Sequence, residues 1–141
     1  MSTHQTLLAL DYGTKKLGVA VGQTLTRTAT GIAVLPVRAL EPDWAQLDTI
    51  IQRWKPDAFV LGLPFNMDGS DSAMTTRARQ FGAKLQERYH KPIHGVDERL
   101  STREARDISR QNAERAGKRP NDRALVDALA AQLLLEGYLG N

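Results

Sequence analysis

Cysteine is absent from the 141 residues, so no disulfide can brace the fold, and no Cys/His set can hold zinc. Histidine is scarce as well: His4, His90 and His94 show no spacing that resembles a metal site. Nowhere does the chain approach the run of about 18 apolar residues that a membrane-crossing helix needs. Its first residues, Met1-Ser2-Thr3-His4-Gln5-Thr6, lack the basic start and long apolar centre of a secretion signal, which makes cytoplasmic residence the expectation. A strong charge of either sign is also missing, the formal net charge being +3. The cations nevertheless cluster, because Arg99 to Arg123 holds eight of them against four acids. That segment reads equally as a solvated helical face with a loop or as a nucleic-acid footprint.

What remains is an ordinary globular composition of a length that predicts one domain, residues 1–141, with no internal repeat or interdomain linker. Strand patterns occur at Thr6–Leu10, Leu17–Val21, Ile32–Leu35, Ala58–Leu63 and Pro92–Val96. Trp44, Leu47, Ile50, Ile51 and Trp54 recur at helical steps, with Glu41-Pro42-Asp43 as the start and Lys55-Pro56-Asp57 as the stop. Met74, Ala78, Phe81, Leu85 and Tyr89 repeat the pattern before Pro92, and both aromatic stripes read as core. A third helix is predicted from Ser101 to about Ser109, a polar loop from Gln111 to Pro120, and a fourth helix from Asp122 to Tyr138 capped by Asn121. Three successive strands suit an antiparallel meander, and the later strand–helix alternation suits parallel pairing. The expected fold is thus α/β: a mixed five-stranded sheet flanked by helices.

Ligands of such sheets gather beyond the carboxyl ends of the parallel strands. Asp11 stands at the end of the first strand, Asp97-Glu98 at the end of the fifth, and Asp127 on the final helix. Each has a plainer reading. Asp11 with Tyr12-Gly13 forms an ordinary turn, Asp97 and Glu98 pair with Arg99 or Arg103 or favour a helix start, and Asp127 pairs with Arg123. Asp127 shares its helix face with Ala130, Ala131, Leu134 and Tyr138, so it is directed inward, where a carboxylate requires a partner or a cation. Carboxylate oxygens select Mg²⁺ or Mn²⁺, and two such ions about 3.5–4 Å apart suit phosphodiester cleavage. His94 lies near these acids and reads as a structural histidine. The loop Gly62-Leu63-Pro64-Phe65-Asn66-Met67-Asp68-Gly69-Ser70 leaves another strand's carboxyl end; Ser70 or Asp71 is the expected cap of the next helix, whose first amides and Arg77 suit a phosphate. Gly117-Lys118 is no P-loop, since position 112 is Asn and position 119 is Arg.

Four stretches in order resemble the YqgF/RuvX family of RNase H-like proteins, which comprises Holliday-junction resolvase homologues and nucleases of pre-16S ribosomal RNA. They are Asp11-Tyr12-Gly13-Thr14-Lys15 with Gly18-Val19-Ala20, Gly62-Leu63-Pro64 with Asn66-Met67-Asp68-Gly69, Asp97-Glu98-Arg99-Leu100-Ser101-Thr102, and Asp127 with Ala130-Ala131. The resemblance implies that Asp11, Glu98 and Asp127 form the acidic catalytic triad that coordinates Mg²⁺ or Mn²⁺, with Asp97 as a neighbour of open role. It further implies that Lys15, Asn66, Arg77, Arg99, Arg110, Lys118, Arg119 and Arg123 meet the nucleic acid. Related junction resolvases carry a further acid one helical turn from the last, where this chain has Ala124 and Ala130. That departure weakens junction resolution and leaves metal-dependent cleavage intact; the resemblance implies a nuclease of structured RNA, with processing of the 5′ end of pre-16S ribosomal RNA during ribosome biogenesis as the expectation and a DNA junction resolvase as an alternative.

Two rival readings stand beside that one. A non-catalytic nucleic-acid-binding module with ribosome-assembly or transcription partners would keep the fold and the basic surface. A phosphotransferase is suggested by the Asp-x-Gly-Thr turn, but that chemistry binds nucleotide between two such domains, and the length suits one.

Overall fold

The computed structural model describes residues 4–98 and 123–140, with side chains of the second stretch described from 128 onward. Strands β1 (Thr6–Tyr12), β2 (Lys16–Gln23) and β3 (Thr28–Arg38) form the antiparallel meander. Strand β4 (Glu41–Pro42), helix α1 (Trp44–Trp54), β5 (Ala58–Leu63), helix α2 (Ala73–Tyr89), β6 (Ile93–Asp97) and helix α3 (Arg123–Tyr138) follow. The sheet order is β4-β3-β2-β1-β5-β6, with β5 parallel to both β1 and β6. No helix among the described residues is long and apolar enough to cross a membrane.

The alternation of side chains along each strand divides the core between the two faces of the sheet. Leu8, Leu10 and Tyr12 of β1 join Val19, Phe59 and Leu61 under α1 and α2, whose Leu47, Ile51, Ala78, Phe81 and Leu85 are buried there. Leu7 and Ala9 join Ala20, Ala58 and Val60 on the other face, under Ala131, Leu134 and Leu135 of α3. Central strands buried on both sides read as continuous apolar runs, which is why β1 and β5 stand out in the sequence. Both aromatic stripes are core: Tyr12 stacks on Phe81 at 4.8 Å, and Trp44 lies 5.8 Å from Phe81.

The sheet has six strands, not the expected five. After β3 the chain reverses through Ala39 (φ 52°) and Leu40 (φ 67°), so that Glu41 pairs with Arg38 and Pro42 with Val37. A two-residue hairpin turn asks for positive φ at both positions, and Ala-Leu lacks the Asn-Gly signature that would announce it. Left-handed backbone costs such residues roughly 1–2 kcal/mol each. The Tyr12 hydroxyl donates to the Leu40 carbonyl at 2.7 Å and holds the turn. Pro42 is tolerated because β4 is an edge. β3 also extends beyond Ile32–Leu35, since pairing with β2 recruits Thr28 to Gly31 despite their polar side chains.

Asp43 caps α1 by accepting the Gln46 N–H at 3.1 Å. The cap of α2 is Ser72 rather than Ser70 or Asp71. Ser72 and Thr75 form a reciprocal capping box, and both hydroxyls also donate to the Pro64 carbonyl, at 2.7 and 2.8 Å. Ser70 is instead turned back to Asp68, and Asp71 to Arg79. The expected helix Ser101–Ser109, the loop Gln111–Pro120 and the cap Asn121 lie outside the described residues.

Small residues let α3 approach the sheet. A Cβ at Gly31 would stand 2.7 Å from the Ala128 carbonyl oxygen, and the Gly31 N–H donates to Gln132 Oε1 at 3.0 Å. Because that obstacle is backbone, Gly31→Ala is expected to cost about 1–3 kcal/mol by overpacking and to lower the thermal midpoint by several degrees in a circular dichroism melt. An unchanged midpoint would contradict this close contact.

Candidate active site

Asp11 is the penultimate residue of β1, partly buried, and paired with Gly18 of β2. Alternation sets it on the same face as Leu7 and Ala9, the α3 face. On the other flank the parallel ladder pairs Leu10 with Leu61, so the next β5 residue beyond it is Gly62. Asp11 therefore has a glycine strand neighbour on each side, at spacings of about 4.8 Å.

Glu98 reaches the same place from β6. Its N–H donates to the Leu63 carbonyl at 3.1 Å, which continues the β5–β6 pairing one residue past Asp97. Its side chain then lies across Gly62: a Cβ built on that glycine would stand 3.1 Å from both Cγ and Cδ of Glu98 and closer still to Oε1. The missing side chain at position 62 is the slot in which the Glu98 carboxyl lies, on the strand next to Asp11. Asp97 pairs with Leu63 and by alternation belongs to the opposite face, so the adjacent acids part company.

The direction of α3 brings its beginning to this end of the sheet. Gly31, in contact with Ala128, pairs with Ala20, which pairs with Ala9; Gly22, in contact with Leu135, pairs with Leu7. Going back along α3 from Leu135 to Ala128 thus climbs β1 toward Asp11, and position 127 lies one residue further on, one turn before the buried Ala131. The Asp127 side chain lies outside those described. Among the described residues, no three of His, Cys, Asp and Glu form a metal-holding group.

The other expected contacts fall in different places. Lys15 is exposed in the β1–β2 turn, and its carbonyl accepts the Val37 N–H at 2.8 Å. Asn66 builds its own loop: its side-chain nitrogen donates to Ser70 Oγ at 3.0 Å and to the Asp71 carbonyl at 3.3 Å, while its N–H donates to the Ser70 carbonyl. Gly69, at φ 88°, makes that tight turn possible. Arg77 lies over Tyr12 and Phe81 on the α2 face, so it is not brought together with the acids. Arg99, Arg110, Lys118, Arg119 and the Arg123 side chain lie outside the described residues. His94 stacks on Tyr138 at 5.6 Å, at the end of α3 opposite position 127, so it lies away from the acids rather than near them. The sequence displayed Gly62 within a motif, but its purpose depends on a side chain 36 positions away, and no local pattern reveals that.

A mixed sheet with antiparallel β1–β3, parallel β5 and β6, and acids at the strand ends is the RNase H-like architecture of junction resolvases. Two solved structures agree over 96% of this chain. They are "T. thermophilus RuvC in complex with Holliday junction substrate" (TM-score 0.56, 18% identity, 96% of that chain) and the Fowlpox virus resolvase with its substrate Holliday junction DNA (TM-score 0.53, 12% identity, 99% of that chain). The family model described as RuvX, Holliday junction resolvase, matches residues 5–141, and the chain belongs to that family. Relatives named "Putative pre-16S rRNA nuclease" include those of Azotobacter vinelandii, 47% identical over 99% of this chain and 96% of that protein, and Pseudomonas putida, 46% identical over 99% and 97%. By family, then, the chain is a nuclease.

Proposed function

We propose that this chain is a divalent-metal-dependent endonuclease of structured RNA that processes the 5′ end of pre-16S ribosomal RNA in the cytoplasm. The observation that supports it best is the Glu98 carboxyl lying in the Gly62 slot beside Asp11, at the carboxyl ends of β1, β5 and β6. The substrate is taken from the names of relatives 46–47% identical to this chain.

The donor set fits Mg²⁺ or Mn²⁺: the Glu98 carboxyl lies over Gly62, on the strand next to Asp11, without competing sulfur or imidazole. Asp11, Glu98 and Asp127 would hold the metal, and a bound ion supplies Lewis acidity toward the phosphate and lowers the pKa of attacking water. Asp11, on the central strand, provides the fixed oxygen about which the others gather. Glu98, held by its backbone bond to Leu63, brings a second carboxylate across from β6 into the slot over Gly62. Asp127 adds a third from the first turns of α3.

The test is cleavage by the purified protein of precursor 16S RNA, a four-way DNA junction and single-stranded RNA, with Mg²⁺ and Mn²⁺ titrated. Precursor RNA is expected to be cut fastest, and EDTA to stop cleavage. Faster cutting of the junction would transfer the reading to resolution, and chelator-insensitive RNA binding without turnover would make the chain a binding module.

A further inference from the structure

The outer edge of β3 is left open along part of its length. Backbone groups of an antiparallel pair face the neighbour at alternate residues. The Val37 N–H donates to the Lys15 carbonyl, so Leu35 and Ala33 also face β2, whereas Val34 faces outward. β4 covers that edge only at Val37 and Arg38, after which the Asp43 N–H donates to the Pro36 carbonyl and the chain turns away into α1. At the other end the Gly31 N–H is taken by Gln132. Between these two stops, the N–H and carbonyl of Val34 have no partner among the described residues. Edge strands are ordinarily guarded by charge, yet β3 carries none from Thr28 to Val37.

An apolar groove lies beside this stretch. The β2–β3 register slips at Ile32, and the bulge turns Ile32 and Ala33 both toward α1, where they line a groove of about 300 Å³ with Thr49, Ile50, Arg53 and Trp54. It exists because α1 crosses the sheet: the helix starts where Asp43 meets Pro36 at the β3 edge and ends where Asp57 meets Thr6 of β1. The cation in its lining is Arg53, whose guanidinium lies 5.6 Å over the Trp54 ring. Nearby acids are engaged elsewhere: Asp43 caps α1, Asp48 takes Arg88 and Tyr89, and Asp57 accepts the Thr6 N–H.

We infer that this edge takes up an extended segment of a partner protein, one that pairs with Val34 and carries an apolar residue followed two positions later by a carboxylate. An added antiparallel strand exchanges two hydrogen bonds with Val34, and its next side chain points to the α1 face, into the groove beside Ala33. Two positions on, the same face reaches the carboxyl end of α1, where Arg53 meets the acid. A second copy of this chain supplies no such acid from its own β3, and a nucleic-acid backbone has no alternating N–H and carbonyl groups to offer Val34. The site is independent of the nuclease reading, since Asp11 and Glu98 belong to the α3 face.

The probe is a blocked hexapeptide, Thr-Thr-Ile-Thr-Glu-Thr, added at millimolar concentration to the full chain, with amide shifts and hydrogen exchange read by NMR. Without peptide the Val34 amide should exchange freely. At about a tenfold excess over Kd it should slow about tenfold, because only unbound protein then exchanges. The Trp54 indole should shift with the same midpoint. Lysine in place of the glutamate is expected to weaken binding about fivefold. Arg53→Glu should invert that preference, which a loss of fold could not do. N-methylation of the threonine before isoleucine should abolish the protection of Val34. An unprotected Val34 at millimolar peptide, or equal binding of the glutamate and lysine peptides, would overturn the inference. So would protection that rises with protein concentration alone, which makes the occupant a second copy, or shifts at Val34 and Trp54 caused by single-stranded RNA and not by peptide.

Discussion

Asp11→Asn is expected to reduce metal-dependent cleavage by at least about 10³-fold, equivalent to about 4 kcal/mol of transition-state stabilisation. The amide keeps the shape of the carboxyl and its place between Gly18 and Gly62, but it removes the charge that attracts a cation. Asp11 belongs to the central strand of the sheet, so no neighbouring carboxylate can move in to replace it. The thermal midpoint should rise or stay the same, because a partly buried carboxylate no longer faces its acidic neighbour. Full cleavage by the variant, freed of contaminating nuclease, would remove Asp11 from the mechanism.

Gly62→Ala should be nearly as damaging to activity by a different route. The new methyl group takes the position of the Glu98 carboxyl and leaves every carboxylate in the sequence. What has to yield is the end of a flexible side chain, so the fold should survive with a thermal midpoint close to that of the parent. Cleavage should fall by about 10²-fold, with the Mg²⁺ titration displaced to higher concentration, as expected when a ligand is misplaced. Gly31→Ala is the counterpart, since its methyl group meets the backbone of α3 and should harm stability before chemistry. Wild-type metal dependence in Gly62→Ala would show that Glu98 acts elsewhere.

These two glycines also show what could be read from the chain. The apolar runs of β1 and β5 were plain because both faces of those strands are buried, and Ala58–Leu63 was predicted to the residue. The helical stripes were plain for the complementary reason, each having one buried face. β4 was hidden because a two-residue strand has no periodicity, and its turn uses Ala-Leu where a type I′ signature would be Asn-Gly. The cap of α2 was missed by one or two positions because Ser70, Asp71 and Ser72 are all competent caps. Only the tertiary bonds to Pro64 select Ser72. Of the site, the acids were visible as residue types at strand ends. That Glu98 and not Asp97 shares the α3 face follows from a strand register that no local pattern contains.

The order of the strands has a bearing on how the molecule comes into being. β1, β2 and β3 pair in succession, so the meander itself closes short loops and can form early at little entropic cost, whereas the packing of these strands on β5 and α3 closes long ones. The acids depend on the slowest events: parallel pairing of β5 and β6, then docking of α3, which begins only at Arg123. During synthesis the β1–β3 meander emerges and can assemble before α3 has been made available to pack on it. A nascent chain of this design acquires its meander before the elements that bring Glu98 and Asp127 to Asp11, so shape precedes the assembly of the acids.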